Sequence, residues 1–218
     1  VARPAARFPE AGLALLAVGL FAGCAVNVSL RVPPVAIANL PLEQRVTLLD
    51  AENEMLASQD ARDAADEAVA TADEAIGHAE RRLDTARKAL DRASDPATQQ
   101  VAKAGVHEAE ERLKFAEQDR VLTRAKLATA SANLLLAQAK FELARAHEVE
   151  VAGQGARYGV RAPDYQAQVD RIAAFVKERS DEEQKVKAET DGIHKEWDSA
   201  AQELAQLTGG AQGSIWVQ

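Results

Sequence analysis

The chain has 218 residues, of which 47% are hydrophobic but only 4% aromatic, and its 34 acidic against 26 basic residues leave a net charge of −8. Much of the apolar share is alanine, which buries little area per residue and has the best helix propensity, so a compact core is poorly supplied and an elongated packing of helices is favoured. The acidic balance argues against nucleic acid as a ligand, and charges of both signs are interspersed, as from Asp60 to Asp66 and from Glu108 to Lys114, in the manner of solvated helical faces.

Residues Ala11 to Ala22 form an uncharged apolar run, preceded by Arg3 and Arg7 and followed at once by Gly23 and Cys24. At about 12 residues the run is well short of the roughly 20 that cross a bilayer as a helix, and its order of parts is that of an export signal. Cys24 is the only cysteine, so no intramolecular disulfide is possible. The stretch Phe21, Ala22, Gly23, Cys24 resembles the lipobox of the bacterial lipoprotein class, with Phe21 where an aliphatic residue is usual. That resemblance covers the first 25 or so residues and implies cleavage before Cys24, acylation of its sulfur and new amine, and an envelope location. Several acyl chains, each contributing about 0.8 kcal/mol per buried methylene, make a firm anchor. Ala25 is not the Asp associated with inner-membrane retention, which favours the outer membrane, facing the periplasm.

The segment 24–40 contains Pro33 and Pro34, with Pro41 directly after it, and β-branched residues between. An extended tether is expected there, lifting the body from the lipid surface, with a short strand around Val35 to Ile37. Helix one is expected over about 41–93. Its apolar positions are Leu42, Val46, Leu49 and Leu56, then Ala61, Ala65, Ala68, Ala72, Ala75 and Ala79, with a four-residue stutter before Leu83, Ala86, Leu90 and Ala93. Asp95 as cap and Pro96 at the first helical position restart the chain into helix two, about 96–152. Its inner face would carry Ala102, Val106, Ala109, Leu113 and Ala116, then Val121, Ala125, Ala128, Ala132, Leu135, Ala139, Leu143 and Ala146.

The Gly-rich stretch Gly153 to Asp164 predicts the second reversal, and its Tyr158 is a candidate partner contact. Helix three, about 163–207, keeps a strict four-three repeat through Tyr165, Val169, Ile172, Val176, Arg179, Glu183, Val186, Thr190, Ile193, Trp197, Ala200, Leu204 and Leu207. Its polar centre, Arg179 and Glu183, would set register or meet a partner. Residues 209–218 form a short tail whose Ile215, Trp216 and Val217 fold back on the body, pair with the tether or meet a partner. The fold class is therefore all-α: an elongated antiparallel coiled coil of three long helices, or a two-helix hairpin with the third docked separately.

No chemistry-bearing constellation stands out. His78, His107, His147 and His194 are scattered, no H-E-x-x-H pair or Gly-rich phosphate loop occurs, and no catalytic residue, metal or cofactor is expected. The expected role is a non-enzymatic envelope lipoprotein that offers a coiled-coil surface to a protein partner or to itself, with the membrane reached through acylated Cys24. A transport, efflux or secretion accessory is the alternative, because long hairpins resemble the helical arms of periplasmic efflux adaptors. Their lipoyl-like and β-barrel flanks have no counterpart here. A murein-lipoprotein-like wall tether would need a terminal Lys where Gln218 stands. A jellyfish-like holdase would need a β-body and a basic surface, and an envelope hydrolase would be the different-class reading.

Overall fold

A computed structural model describes residues 26–209, and all regular structure among them is helical. Two short helices, α1 (Pro34–Ala38) and α2 (Leu42–Val46), lead into the long α3 (Leu48–Arg92); α4 (Pro96–Val151) returns antiparallel, the single turn α5 (Gly155–Tyr158) reverses the chain, and α6 (Ala162–Leu207) runs back along α4. At about 1.5 Å per residue α4 is about 84 Å long and its two neighbours about 68 Å each. No helix of the described residues is long and apolar enough to cross a membrane.

The long helices do not form a closed triangle. α4 packs against both α3 and α6, while α3 and α6 scarcely approach one another. The arrangement is thus a hairpin, α3–α4, with α6 laid along the other side of α4. The helix compositions show why. α3 and α6 each carry one buried stripe, whereas α4 buries residues all round, among them Ala102, Ala109, Ala116, Ala132, Ala139 and Ala146. A helix clasped from two sides needs two apolar stripes, and alanine lets both neighbours come close.

Along α6 every position of the expected repeat, from Tyr165 to Leu207, is buried or half-buried. Along α3 the expected Ala65, Ala72, Ala79, Leu83, Ala86 and Leu90 are buried or half-buried, whereas Ala61, Ala68 and Ala75 are exposed. The packed positions are Leu48, Ala51, Met55, Ser58, Arg62, Ala65, Val69, Ala72, Ile76, Ala79, Leu83, Ala86 and Leu90, an unbroken alternation of three and four with no stutter. Leu42, Val46, Leu49 and Leu56, expected inside, are instead 69%, 54%, 51% and 49% exposed. The positions that face α4 over this stretch are instead Leu48, Ala51, Met55 and Ser58, one or more places out of step with the exposed aliphatics. On α4, Val121 is likewise exposed and Ala128 faces solvent, with Leu122 and Thr123 buried in their place. The single heptad drawn through α4 fails there because the helix serves two seams.

The segment expected as an extended tether is not a free spacer. Val26 and Val28 pack near Ile172 and Leu135, and Val32, Ala36 and Leu40 are buried with Phe141, Val149 and Tyr165. The strand expected at Val35 to Ile37 is α1: Pro34 supplies a fixed φ at the first turn, and no further proline interrupts the chain before Pro41. The first long helix begins at Leu48 rather than at 41, because the chain breaks its ladder at Thr47, whose hydroxyl donates to the Gln44 carbonyl at 2.8 Å.

Candidate interaction site

Three places in the described chain combine chemistry with shape: the clasp that holds the amino-terminal segment, the aliphatic row beside it, and a charged node nearer the opposite end.

The clasp is built from helix side chains that stand in for a neighbouring strand. Gln168 is 2% exposed, and its Oε1 accepts from the amides of Ser29 at 2.9 Å and Leu30 at 2.8 Å, while its Nε2 donates to the Leu30 carbonyl at 3.3 Å. One buried amide thus satisfies three backbone groups of an extended segment that has no sheet to join. One turn of chain further on, Glu142 accepts the Val32 amide at 2.8 Å through Oε2 and Arg145 at 3.0 Å through Oε1. Below it the Tyr165 ring is buried, and burial pushes its hydroxyl above the ordinary tyrosine range, with the Glu142 and Asp164 charges adding to the effect. Neither Gln168 nor Glu142 was singled out from sequence, where each is one polar residue among many on a helix.

The loop after α4 closes the clasp. Gly153 and Gly159, at φ of 71° and 65°, supply left-handed turns that an L side chain adopts with strain. Tyr158 accepts from the Asn39 side chain at 2.8 Å under the Arg157 guanidinium, and the Gln154 amide donates to the Asn39 carbonyl at 3.2 Å. The candidate partner residue Tyr158 is therefore half-buried and engaged with this chain's own α1–α2 connection.

Beside the clasp lies the aliphatic row. Leu42, Val46, Leu49 and Leu56 follow heptad spacing on the outside of α2 and α3, interrupted only by Asn53, and Val35 of α1 is 54% exposed as well. Scattered exposed leucines are ordinary, but four large aliphatic side chains at coiled-coil spacing match the pattern by which one helix seats on another. Sequence reading found these residues and gave them the wrong face.

Toward the other end, Glu108 is 4% exposed between the long helices. Its Oε2 accepts Arg82 Nε from α3 at 3.0 Å and its Oε1 accepts the indole N–H of Trp197 from α6 at 3.0 Å, with Arg112 at 4.0 Å. Trp197 stacks on Phe115 at 5.2 Å, and His194 meets both rings edge-on. Glu108 therefore ties α3 and α6 together through α4, although the two outer helices barely touch. Among the described residues no group of three or more His, Cys, Asp or Glu is placed to hold a metal ion.

Of the remaining candidate contacts, Arg179 pairs with Glu182 at 2.7 Å, not with Glu183, and lies over the Phe175 ring at 5.0 Å. The Thr129 hydroxyl of α4 reaches the Arg179 carbonyl at 3.3 Å, so the polar centre of α6 is seated on α4 by its backbone, and Glu183 sits half-buried beside it. Phe21, Ala22, Gly23, Cys24 and Trp216 lie outside the described residues. No protein-family model matches this sequence, and no curated protein or solved structure matches it either.

Proposed function

We propose that the chain is a non-enzymatic lipoprotein of the bacterial envelope, anchored through acylated Cys24 and facing the periplasm from the outer membrane, whose helical rod binds a protein partner. The observation that carries this reading is the aliphatic row Leu42, Val46, Leu49 and Leu56, exposed at heptad spacing on α2 and the first turns of α3. Covering such side chains with an apolar partner helix stabilises a complex by about 1 kcal/mol or more each. The clasp gives the row a position. Val26, two residues after Cys24, packs against the side of the body, so a lipid on Cys24 would hold the clasp end close to the bilayer.

Metabolic labelling with a clickable fatty acid, comparing the natural chain with Cys24→Ala, tests the anchor; photo-crosslinking residues at Leu49 and Leu56 test the row. The expected result is label and membrane fractionation only with Cys24 present, and a discrete adduct from both row positions but not from Glu80 on the solvated face of α3. An unlabelled chain that keeps its leading segment removes the anchor, and a row that yields neither a partner adduct nor a self-adduct removes the binding role. A second reading, an accessory of a transport, efflux or secretion complex, is favoured by the long α3–α4 hairpin. Loss of substrate export on deletion would select it.

A further inference from the structure

The turn between α3 and α4 encloses an open cup of about 610 Å³. Its walls are short: Ala89, Ala93, Ala97 and Ala102, with Val101 the largest apolar side chain. Thr208, which caps the end of α6, stands on the rim. The next residue, Gly209, has φ of 65°, a left-handed turn that takes the chain off the α6 axis at the cup itself.

We propose that Ile215, Trp216 and Val217 dock in this cup. The cup lacks bulk and the tail carries it. A tryptophan buries on the order of 150–250 Å² when covered, and walls of alanine leave it space that larger side chains would deny. Gly209 to Gln218 contains no charged side chain in a chain that is 28% charged, so docking of Ile215, Trp216 and Val217 desolvates no ionic side chain of the tail. Ser94, Asp95 and Arg92 line the same cup, residues of types that supply an acceptor for the indole N–H and a cation for its face.

Reach selects this occupant over the others. Eight residues separate Thr208 from Trp216 and span at most about 29 Å when extended. The amino-terminal segment is pinned at Gln168, forty residues back along α6, which is about 60 Å away. Pairing of the tail with the tether, one of the sequence expectations, is out of range. A second copy would compete, but a short tether gives the tail an effective concentration on the order of millimolar, above that of a free protein in dilute solution.

The test uses the full chain labelled with 5-fluorotryptophan, which reports Trp197 and Trp216 as separate ¹⁹F resonances, assigned with Trp216→Phe. The Trp216 resonance is expected to be shielded, with a small H2O-to-D2O shift and slow relaxation by an aqueous paramagnetic probe. Ala97→Glu and Val101→Asp are expected to raise both several-fold while the Trp197 resonance stays in place. Ala97 is exposed in the first turn of α4, where an acidic residue favours the helix, so this variant keeps the fold if Val101→Asp does not. A solvent-like Trp216 in the unsubstituted chain overturns the proposal. So does shielding that grows with protein concentration, which would mean a second copy, or shielding that Ala97→Glu leaves intact, which would place the tail elsewhere.

Discussion

The two ends of this rod are held by different physics. At the clasp end, Val32, Leu40, Leu48, Phe141, Val149, Val160 and Tyr165 make a continuous apolar cluster, and Ile172 anchors a second one beside it. Nearer the hairpin turn the buried apolar cluster shrinks to Leu83, Ala86 and Ala109, and the joint between the outer helices passes through one carboxylate, Glu108. An alanine-rich coiled coil supplies propensity and close approach but little buried area per turn. The clasp end makes up the deficit by wrapping an extra segment around the helices. The turn end relies on a hydrogen-bonded charge with aromatic neighbours, which specifies alignment more than it adds stability.

This difference fixes where substitutions should be felt. The largest loss is expected from Ile172→Ala, which empties a fully buried position between α4, α6 and the amino-terminal segment. A cavity there costs about 3 kcal/mol. Thermal denaturation followed by circular dichroism should show it, and hydrogen exchange should show protection lost over residues 26–40 before the turn around Ser94 is affected. Uniform loss along the whole rod would mean that the two ends form one cooperative unit, and the contrast between them would not hold.

Glu108→Ala should cost less, about 2 kcal/mol, by leaving Arg82 and the Trp197 indole N–H without their acceptor. Glu108→Gln, which keeps an oxygen for the indole but not the charge for Arg82, should fall between the two. The readout is paired: the melting midpoint, and the Trp197 emission in a Trp216→Phe background, which should shift to the red in the alanine variant as α6 loosens from α4. An unchanged emission would show that Phe115 stacking alone seats the ring.

These contrasts also show how far the sequence could be read. The heptads of α6 were legible because its inner positions hold large or β-branched residues, Val169, Ile172, Ile193 and Leu204 among them, that stand out from a polar background. On α2 and the start of α3 the same reasoning follows the largest aliphatics, Leu42, Leu49 and Leu56, and so takes an exposed row for the seam. Where alanine lines both faces, hydrophobicity barely distinguishes inside from outside. The clasp was hidden for another reason. Gln168 and Glu142 act by accepting backbone amides from a segment more than a hundred residues away, a pairing no local period encodes. Asp95 and Pro96, by contrast, carry their function within one turn, and the α4 start follows the sequence reading.

That cap provides the smallest expected effect and a local test of the turn end. The Thr98 hydroxyl and the amides of Thr98 and Ala97 donate to the Asp95 carboxylate and hold it below the ordinary value of 3.8. A carboxyl whose folded value is depressed contributes fully above its unfolded value, and the contribution is lost as pH falls through the folded one. Protection of the first turn of α4 should therefore be constant from neutral pH to about 5 and decline progressively below 4. Asp164, hydrogen-bonded to Arg161 at the start of α6, is depressed in the same direction, so acid should also loosen the opposite end. Asp95→Asn separates the two. The amide keeps an oxygen for the Ala97 and Thr98 amides and cannot titrate, so hydrogen exchange at the turn should lose its acid dependence while that of the α6 start remains.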